Sequence, residues 1–468
     1  MTTAAADSFD VVVAGAGLAG LVAALTAAEA GARVALVEKG AAFGGSSARS
    51  GGGLIFAGTD LQREAAVEDS SESLRADLIR SGQGRARAEV IDAYVDHQLD
   101  TYRWLSGLGL QFSLESATTA TKEVPRAHLT GRGVATQYLY DCVARTSAVT
   151  YLPETPAWRL LRNDGGRVDG VQVASPQGVR TLLVRQGVVL ATGGFARSVE
   201  MLQAFAPQWV DAVKMSGRHN TGDGITMACA LGAGLADMPY VAASFGASIA
   251  HYPDLTLDPD EEPILLYPNY LGGIIVNLEG RRFADEDLQY KVLSGLCADQ
   301  PGAAAIQIFD EAVFARSDDR AIPWDFQAAH AAGLVIRAES LRELAIALGL
   351  DPEVLLSTVA RYNQAVLDGA DPDFSRAVAT HRDRAGGGLI TNAPFYAFPT
   401  RPGLTSTYAG ITVDRDMRVL DVFGDAIAGL FAAGETVGGF HGAGYYGGTG
   451  LGKAAVFGRI AGLHVVQH

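Results

Sequence analysis

Phe9-Asp10-Val11-Val12-Val13-Ala14 is a short, nearly unbroken apolar run. It stops at Gly15-Ala16-Gly17 and gives way to Leu18-Ala19-Gly20-Leu21-Val22-Ala23-Ala24. A run of that length bounded by glycine predicts a buried strand, and the richer stretch after it a helix. Val34-Ala35-Leu36-Val37-Glu38-Lys39 then predicts a second strand, completing a βαβ unit. From Ala57 to about Val149 the pattern is mostly helical, as in Tyr102-Arg103-Trp104-Leu105 and Thr136 to Ala144. Val149 to Val184 breaks into short alternating runs with a turn at Asn163-Asp164-Gly165-Gly166, which predicts a β-meander. Gly187 to Phe195 is again a buried strand, ending in Gly193-Gly194, and Asn220-Thr221-Gly222-Asp223-Gly224-Ile225 opens a helix through Leu231.

After about Pro239 the glycine-turn motifs cease. A hairpin-like segment from Gly272 to Phe283 and helices from Asp351 onward fill the chain to about Ile390, and the glycine motifs return at Pro402 and Gly429 to Glu435. The expected fold class is α/β: a Rossmann-like domain, parallel sheet plus meander, interrupted by an inserted α+β domain. The expected boundaries are 1–238, 239–390 and 391–468, with no internal repeat.

The glycine spacing carries chemistry. Gly15 makes the turn, Gly17 admits a pyrophosphate, and Gly20 lets helix and strand pack; Glu38, ending the second strand, is placed to accept both ribose hydroxyls. A second polar glycine loop follows at Phe43-Gly44-Gly45-Ser46-Ser47-Ala48-Arg49-Ser50-Gly51-Gly52-Gly53. A nicotinamide domain has no need of it, whereas FAD, with its longer arm, needs further backbone contacts. That loop has no histidine, so the flavin is expected to be non-covalent. Asp223 reads either as a flavin-side carboxylate or as a simple cap at the start of its helix.

Composition narrows the partners. The chain has 468 residues, 48% hydrophobic and 19% charged, which is globular and long enough for two or three domains. A net charge of −15 argues against nucleic acid. Cys142, Cys229 and Cys297 form no CxxC pair and read as buried structural thiols in a reducing compartment, with no metal site. Met1 to Ser8 lacks a basic leader, and no apolar stretch reaches the ~18–20 residues of a membrane span. The expectation is a cytoplasmic protein.

The densest signal lies near the C-terminus. Nine of the nineteen residues from Gly434 to Gly452 are glycine, although each ordered glycine costs extra backbone entropy. The loop contains Tyr445 and Tyr446 and runs into a helical pattern from Ala454 to Gly462, so its end offers free N–H groups to a developing negative charge.

Taken together, the chain resembles the flavoprotein family of fumarate reductases, succinate dehydrogenase subunits and 3-ketosteroid Δ1-dehydrogenases. The resemblance rests on Gly15-Ala16-Gly17-Leu18-Ala19-Gly20 with Glu38, Gly44-Gly45-Ser46-Ser47, Ala191-Thr192-Gly193-Gly194 and Thr221-Gly222-Asp223-Gly224. Val276-Asn277, Arg281 to Glu286, Ala433-Gly434-Glu435 and Phe457 to Gly462 add to it. It implies a mobile cap, from about Pro239 to Ile390, over a flavin. The flavin set it implies is Gly15, Gly17, Ala19, Gly20, Glu38, Lys39, Gly45, Ser46, Ser47, Gly52, Gly53, Ala157, Ala191, Thr192, Gly193, Asp223, Gly434, Glu435, Gly450 and Leu451.

The family divides by its active-site residues. Where fumarate reductases carry a proton-donor arginine, a second substrate arginine and a substrate histidine, this chain has Tyr290, Tyr445 and Ser406. Two carboxylates call for fixed cationic donors, so a dicarboxylate suits this site poorly. The ketosteroid dehydrogenase branch instead has a tyrosine base where Tyr290 stands, and a Tyr-Pro-Gly-Pro-Gly segment whose tyrosine and glycine N–H hold the ketone. Tyr446-Gly447-Gly448-Thr449-Gly450 keeps that spacing without the prolines. The resemblance therefore implies Tyr290 as base and Tyr446 with the Gly450 N–H on the ketone oxygen. Tyr408, His441 and Tyr445 would line the pocket, His441 being equally readable as structural. Arg49, Arg132 and His128 read either as contacts for a substrate carboxylate or, the preferred reading, as solvated surface positions. The expected activity is desaturation of a small-molecule cyclic ketone, a 3-ketosteroid or a smaller ring such as cyclohexanone or 4-oxocyclohexanecarboxylate, with an unidentified electron acceptor. Reduction of an enone or acrylate and a flavin electron-transfer module are the alternatives.

Overall fold

The first apolar run is strand β1 (Asp7–Ala14), followed by helix α1 (Leu18–Glu29) and strand β2 (Val34–Val37), in a computed structural model that describes residues 7–115, 124–175, 178–256, 262–319, 322–378 and 385–467. Val11 to Ala14 pair in parallel with Val34 to Val37 on one side and with Gly187 to Leu190 on the other. A central parallel strand has no solvated face, which is why Val11, Val12 and Val13 are all apolar and fully buried instead of alternating.

The sheet runs Arg418–Leu420, Ala426–Ala432, Gly178–Leu190, β1, β2, Val149–Leu152. Ala157–Arg162 and Val168–Ser175 form the expected meander, antiparallel to each other and joined to Gly178–Leu190. Its turn is closed by the Asn163 Oδ1, which accepts the Gly165 N–H at 3.0 Å. The C-terminal helix, Thr449–Val465, packs backbone to backbone on α1. A Cβ on Gly458 would lie 2.5 Å from the Ala19 carbonyl oxygen, and one on Gly462 would lie 2.7 Å from that of Ala23.

Between Asp60 and Arg145 the helices Asp60–Glu64, Ser71–Ser81, Ala88–Gly107 and Val134–Arg145 follow the helical pattern. The periodicity gives no sign of the small sheet formed by Gly53–Ile55, Ser113–Glu115 and Ala127–Leu129. That sheet overturns the surface reading of His128. The residue is fully buried, its Nε2 2.8 Å from Thr59 Oγ1 and its Nδ1 2.9 Å from the Arg126 carbonyl.

The chain divides into two units: Met1–Pro207, Ser216–Ala242 and Ser406–His468 in one, Gln208–Met215 and Ala243–Thr405 in the other. The second unit thus extends past Ile390 and takes in an earlier segment. Both follow from the long strand Phe395–Thr407, which pairs with Ala305–Asp310, Ile336–Ala338 and Val213–Lys214. Its core gathers Ile274, Ile306, Ile308, Leu344, Leu355 and Tyr362. Here the Arg282 guanidinium grips Glu286 with two bonds of 2.7 Å and Asp371 at 2.9 Å, while Arg376 donates to Asp287 at 3.0 Å. A buried ion cluster of this kind adds little net stability, because desolvation offsets its attraction. It ties Glu286 and Asp287, in the segment leading to Tyr290, to Arg282 and Arg376.

The cysteine expectation holds only for Cys297, which is buried. Cys142 is half-buried and Cys229 exposed, the latter at the last position of the helix Asp223–Cys229. Among the described residues no helix is long and apolar enough to cross a membrane, and no cluster of His, Cys, Asp or Glu has metal-binding geometry.

Candidate active site

In the first unit, the turn after β1 is shaped by backbone contact. Gly15 has φ +104°, and a Cβ there would lie 2.4 Å from the Ala191 carbonyl oxygen; a Cβ on Gly20 would lie 1.8 Å from that of Gly15. Gly17 and Gly45 differ. The nearest atom to a Gly17 Cβ is Ser47 Oγ at 3.6 Å, and nothing stands within 4 Å of a Gly45 Cβ. The cradle is closed where it must pack and open at the start of α1, where a pyrophosphate would meet the positive end of the helix.

Around this cradle the side chains are tied to backbone. The Glu38 carboxylate accepts the Ala16 and Gly40 N–H groups, both at 2.8 Å, leaving lone pairs on each oxygen for ribose hydroxyls. Ser46 Oγ accepts the Gly217 N–H at 2.9 Å, and Ser47 Oγ accepts that of Leu18 at 3.2 Å. Lys39 Nζ donates to Asp223 at 2.8 Å and to Thr221 at 2.9 Å, so Asp223 does not serve as a plain helix cap. Thr192 Oγ1 accepts the Gly224 N–H at 3.1 Å. Ala157 opens its strand two residues after Thr155, whose N–H donates to the Glu38 carbonyl at 2.7 Å.

Other glycines serve the protein itself. A Cβ on Gly52 would fall 2.1 Å from the Gly131 carbonyl oxygen, and one on Gly53 would lie 3.3 Å from Leu129, so this pair lets the small sheet form. Gly193 has φ +79°, and its carbonyl accepts from Thr436 Oγ1 at 3.2 Å. A Cβ on Gly434 would lie 2.7 Å from that of Ala19, which locks the C-terminal loop against α1. Glu435 accepts the Thr407 N–H and the Asn220 amide, both at 2.8 Å, and burial pushes its carboxyl above the usual range against those bonds. Leu451 is buried on the first turn of the C-terminal helix.

The tyrosine pair separates. Tyr445 turns its phenol to the helix start, where the oxygen accepts the Gly450 N–H at 3.1 Å. Its ring lies parallel to that of Tyr408, with centroids 5.9 Å apart, and 5.2 Å from His441. Tyr446, which the spacing paired with Gly450, does not make that bond. Its ring is buried, and its oxygen accepts from Arg126 Nη1 at 3.1 Å. Neighbours in an irregular loop diverge, so only one phenol reaches Gly450. His441 is buried with Nε2 3.0 Å from Thr449 Oγ1; that hydroxyl donates to the Tyr446 carbonyl, so the imidazole is the donor.

Arg126 is the residue that sequence reasoning missed. Fully buried, it holds Asp69 through two bonds of 2.7 Å, pairs with Asp77 and donates to Ser73 at 2.7 Å. No motif announces it, because its partners come from a helix and a turn some fifty residues away. Burial raises the Tyr446 phenol pKa, and the neighbouring guanidinium opposes that; the Tyr445 phenol is raised by burial.

In the second unit, Tyr290 is the first residue of the helix Tyr290–Ala298. Its ring stacks on Tyr267 with centroids 5.8 Å apart and 27° between planes, and Tyr267 in turn meets Tyr270 at 5.6 Å. Lys291 Nζ lies 5.2 Å from the Tyr290 ring centroid. Arg132 is exposed and Arg49 half-buried.

A family model described as FAD binding domain matches residues 10–451. The chain belongs to this family. The FAD binding domain protein is 31% identical over 475 residues to a fumarate reductase (cytochrome) of Shewanella frigidimarina, across 100% of this chain and 79% of that one. It is 29% identical over 546 residues to a 4-oxocyclohexanecarboxylate 2-dehydrogenase of Sinomonas cyclohexanicum, across 97% of this chain and 92% of that one. Among solved structures, a 3-ketosteroid-Δ4-(5α)-dehydrogenase of Rhodococcus jostii RHA1 in complex with 4-androstene-3,17-dione matches with a TM-score of 0.76 at 26% identity, covering 100% of this chain and 99% of that one. The motif resemblance therefore holds at the level of the fumarate reductase and succinate dehydrogenase flavoprotein superfamily. The protein is an FAD-dependent oxidoreductase. The cradle fits that cofactor, being open at Gly17 and Gly45 and bordered by Glu38 and the N-terminus of α1.

Proposed function

We propose that this flavoprotein introduces an α,β-double bond into a cyclic ketone. The observation that carries the reading is the neutral pair at the start of the C-terminal helix, the Tyr445 phenol on the Gly450 N–H at 3.1 Å. A dicarboxylate enzyme of the family would place a cation at Tyr445. Two neutral donors suit a ketone oxygen, whose charge rises as the α-proton leaves.

In this reading the ketone oxygen enters between the two groups and takes a hydrogen bond from each. The spacing of the family motif gives the phenol role to Tyr446, but the bond to Gly450 favours Tyr445, with Tyr446 and Arg126 anchoring the loop beneath it. Tyr408 and His441 support the Tyr445 ring. Tyr290 removes the α-proton. FAD supplies the two-electron acceptor for the β-hydrogen, and an electron acceptor regenerates it. The similarity to a 4-oxocyclohexanecarboxylate dehydrogenase supports a small ring, and that to a ketosteroid dehydrogenase supports the ketone.

Anaerobic mixing with cyclohexanone, 4-oxocyclohexanecarboxylate or a 3-ketosteroid should bleach the oxidised flavin absorbance. Bleaching by succinate and by none of the ketones would overturn the proposal. The similarity to a fumarate reductase favours a second reading, reduction of an enone or acrylate. Turnover with reduced viologen but none with an artificial oxidant would select it.

A further inference from the structure

Three of the six residues from Gly439 to Gly444 are glycine, and such a backbone has many conformations open to it. Yet this loop must deliver the phenol of the next residue, Tyr445, to one N–H. Part of its confinement comes from the turn at residues 81–87. The Arg87 N–H donates to the Gly439 carbonyl at 2.7 Å, and the Ala443 N–H donates to the Gly82 carbonyl at 3.2 Å. A Cβ on Gly442 would lie 2.5 Å from the Gly82 carbonyl oxygen, and one on Gly444 would lie 2.0 Å from that of Ser81.

The rest comes from a side chain. Asp237 Oδ2 accepts the Gly439 N–H at 2.9 Å and the Gly442 N–H at 3.2 Å. Asp237 follows the short strand Leu235–Ala236 and has φ +61°, in the left-handed region that non-glycine residues seldom occupy. Its carbonyl accepts the Tyr240 N–H at 2.9 Å, and the Tyr240 carbonyl accepts the Tyr408 N–H at 3.0 Å. One turn thus holds both the loop before Tyr445 and Tyr408, whose ring lies parallel to that of Tyr445. Glycine would adopt this φ without strain, so what an aspartate adds at the position is its carboxylate. Strained residues of this kind cluster at functional sites, where the surroundings hold them in place.

We propose that Asp237 is the positioning residue of the ketone loop: one carboxylate oxygen holds the Gly439 and Gly442 N–H groups, and so sets the Tyr445 phenol on Gly450. The inference rests on the reading of Tyr445 and Gly450 as the ketone-binding pair. Its action passes through the backbone from Gly439 to Tyr445.

Asp237 contributes a turn, a charge and an acceptor, and two substitutions separate them. Lys453 and Arg87 are the cations that act on its carboxylate. Asp237→Gly keeps the turn and removes both charge and acceptor. Asp237→Asn removes the charge and keeps an acceptor oxygen. On whichever of cyclohexanone, 4-oxocyclohexanecarboxylate or a 3-ketosteroid bleaches the flavin, Asp237→Gly should lower kcat about tenfold or more at unchanged FAD content. Asp237→Asn should stay within about threefold of the parent, because the acceptor remains. In a Tyr445→Phe background Asp237→Gly should cost less than about threefold further, since the phenol it places is gone.

A second readout needs no ketone. Hydrogen exchange of the peptide spanning residues 445–451, in the holoenzyme, reports on the Gly450 N–H. It should quicken in Asp237→Gly and in Tyr445→Phe, and match the parent in Asp237→Asn. If Asp237→Gly does not retain FAD, Asp237→Ala takes its place with the same expectations.

Parent-like rate and exchange in Asp237→Gly would overturn the inference. Equal losses in Asp237→Asn and Asp237→Gly would overturn it too, by assigning the effect to charge, as would a full tenfold loss in the Tyr445→Phe background. If exchange responds as expected while the parent oxidises no ketone, the positioning stands and the proposed function falls.

Discussion

The phenol oxygen of Tyr445 accepts the N–H of Gly450, five positions on, at 3.1 Å, closing an arc at the start of the C-terminal helix. Tyr445→Phe should therefore lower kcat on a cyclic ketone by about 10²–10³-fold, the scale for losing one oxyanion donor, with FAD content unchanged. Tyr446→Phe should act mainly on stability, because it leaves Arg126 short of one acceptor; a loss of about 1–3 kcal/mol is expected. Steady-state kinetics, flavin stoichiometry and urea unfolding separate the two. The reverse pattern would return the carbonyl role to Tyr446.

Arg126 neutralises Asp69 and Asp77 inside the first unit. Arg126→Met strands two carboxylates and should cost about 3–5 kcal/mol. The variant carrying Asp69→Asn and Asp77→Asn as well should recover part of that loss, which chemical denaturation would detect as a shift in midpoint.

The two glycines of the first turn should fail differently. In Gly20→Ala the methyl would meet the Gly15 carbonyl at 1.8 Å, so the fold itself suffers and the melting temperature falls. In Gly17→Ala the protein offers room, with nothing nearer than 3.6 Å. That variant should fold with normal circular dichroism and bind FAD weakly, as measured by flavin retained after gel filtration. Equal flavin retention in Gly17→Ala and the parent would show that the cofactor does not approach there.

Lys453 is buried, donates to the Val437 carbonyl and faces Glu435 and Asp237; burial pushes it down to about 8 from an ordinary 10.5. Between those two pH values the unfolded chain binds the proton that the folded chain has lost, so this residue makes stability rise with pH across that window. Below about 8 both states are protonated, and the cost of burying the charge is constant. Relative to Lys453→Met, the parent should gain stability as pH is raised through the window, read from denaturant midpoints at several pH values. A pH-independent difference would mean that Lys453 remains charged throughout.

Much of the molecule was legible from local pattern. The βαβ unit, the meander and the opening at Gly17 each involve residues close in sequence, and their requirements (a turn without a Cβ, a fully apolar central strand, a carboxylate at a strand end) are written in residue types. The superfamily was readable from motifs for the same reason. The strand Phe395–Thr407 was harder to place, because an apolar run says that it is buried but not against which partners.

What only the tertiary structure decided concerns direction and distance. Sequence spacing put Tyr446 four residues before Gly450, but the loop turns Tyr446 toward a buried guanidinium and leaves Tyr445 on the glycine. Arg126 had no signature, since its carboxylates lie 57 and 49 residues away and meet it only when the small sheet and the helix Ser71–Ser81 pack. Residue identity determined that this protein has a flavin cradle and a tyrosine-lined loop with no arginine. Which phenol faces the helix start was set by the burial of a charge: a buried guanidinium must be satisfied on every side, and the nearest tyrosine was drawn into satisfying it.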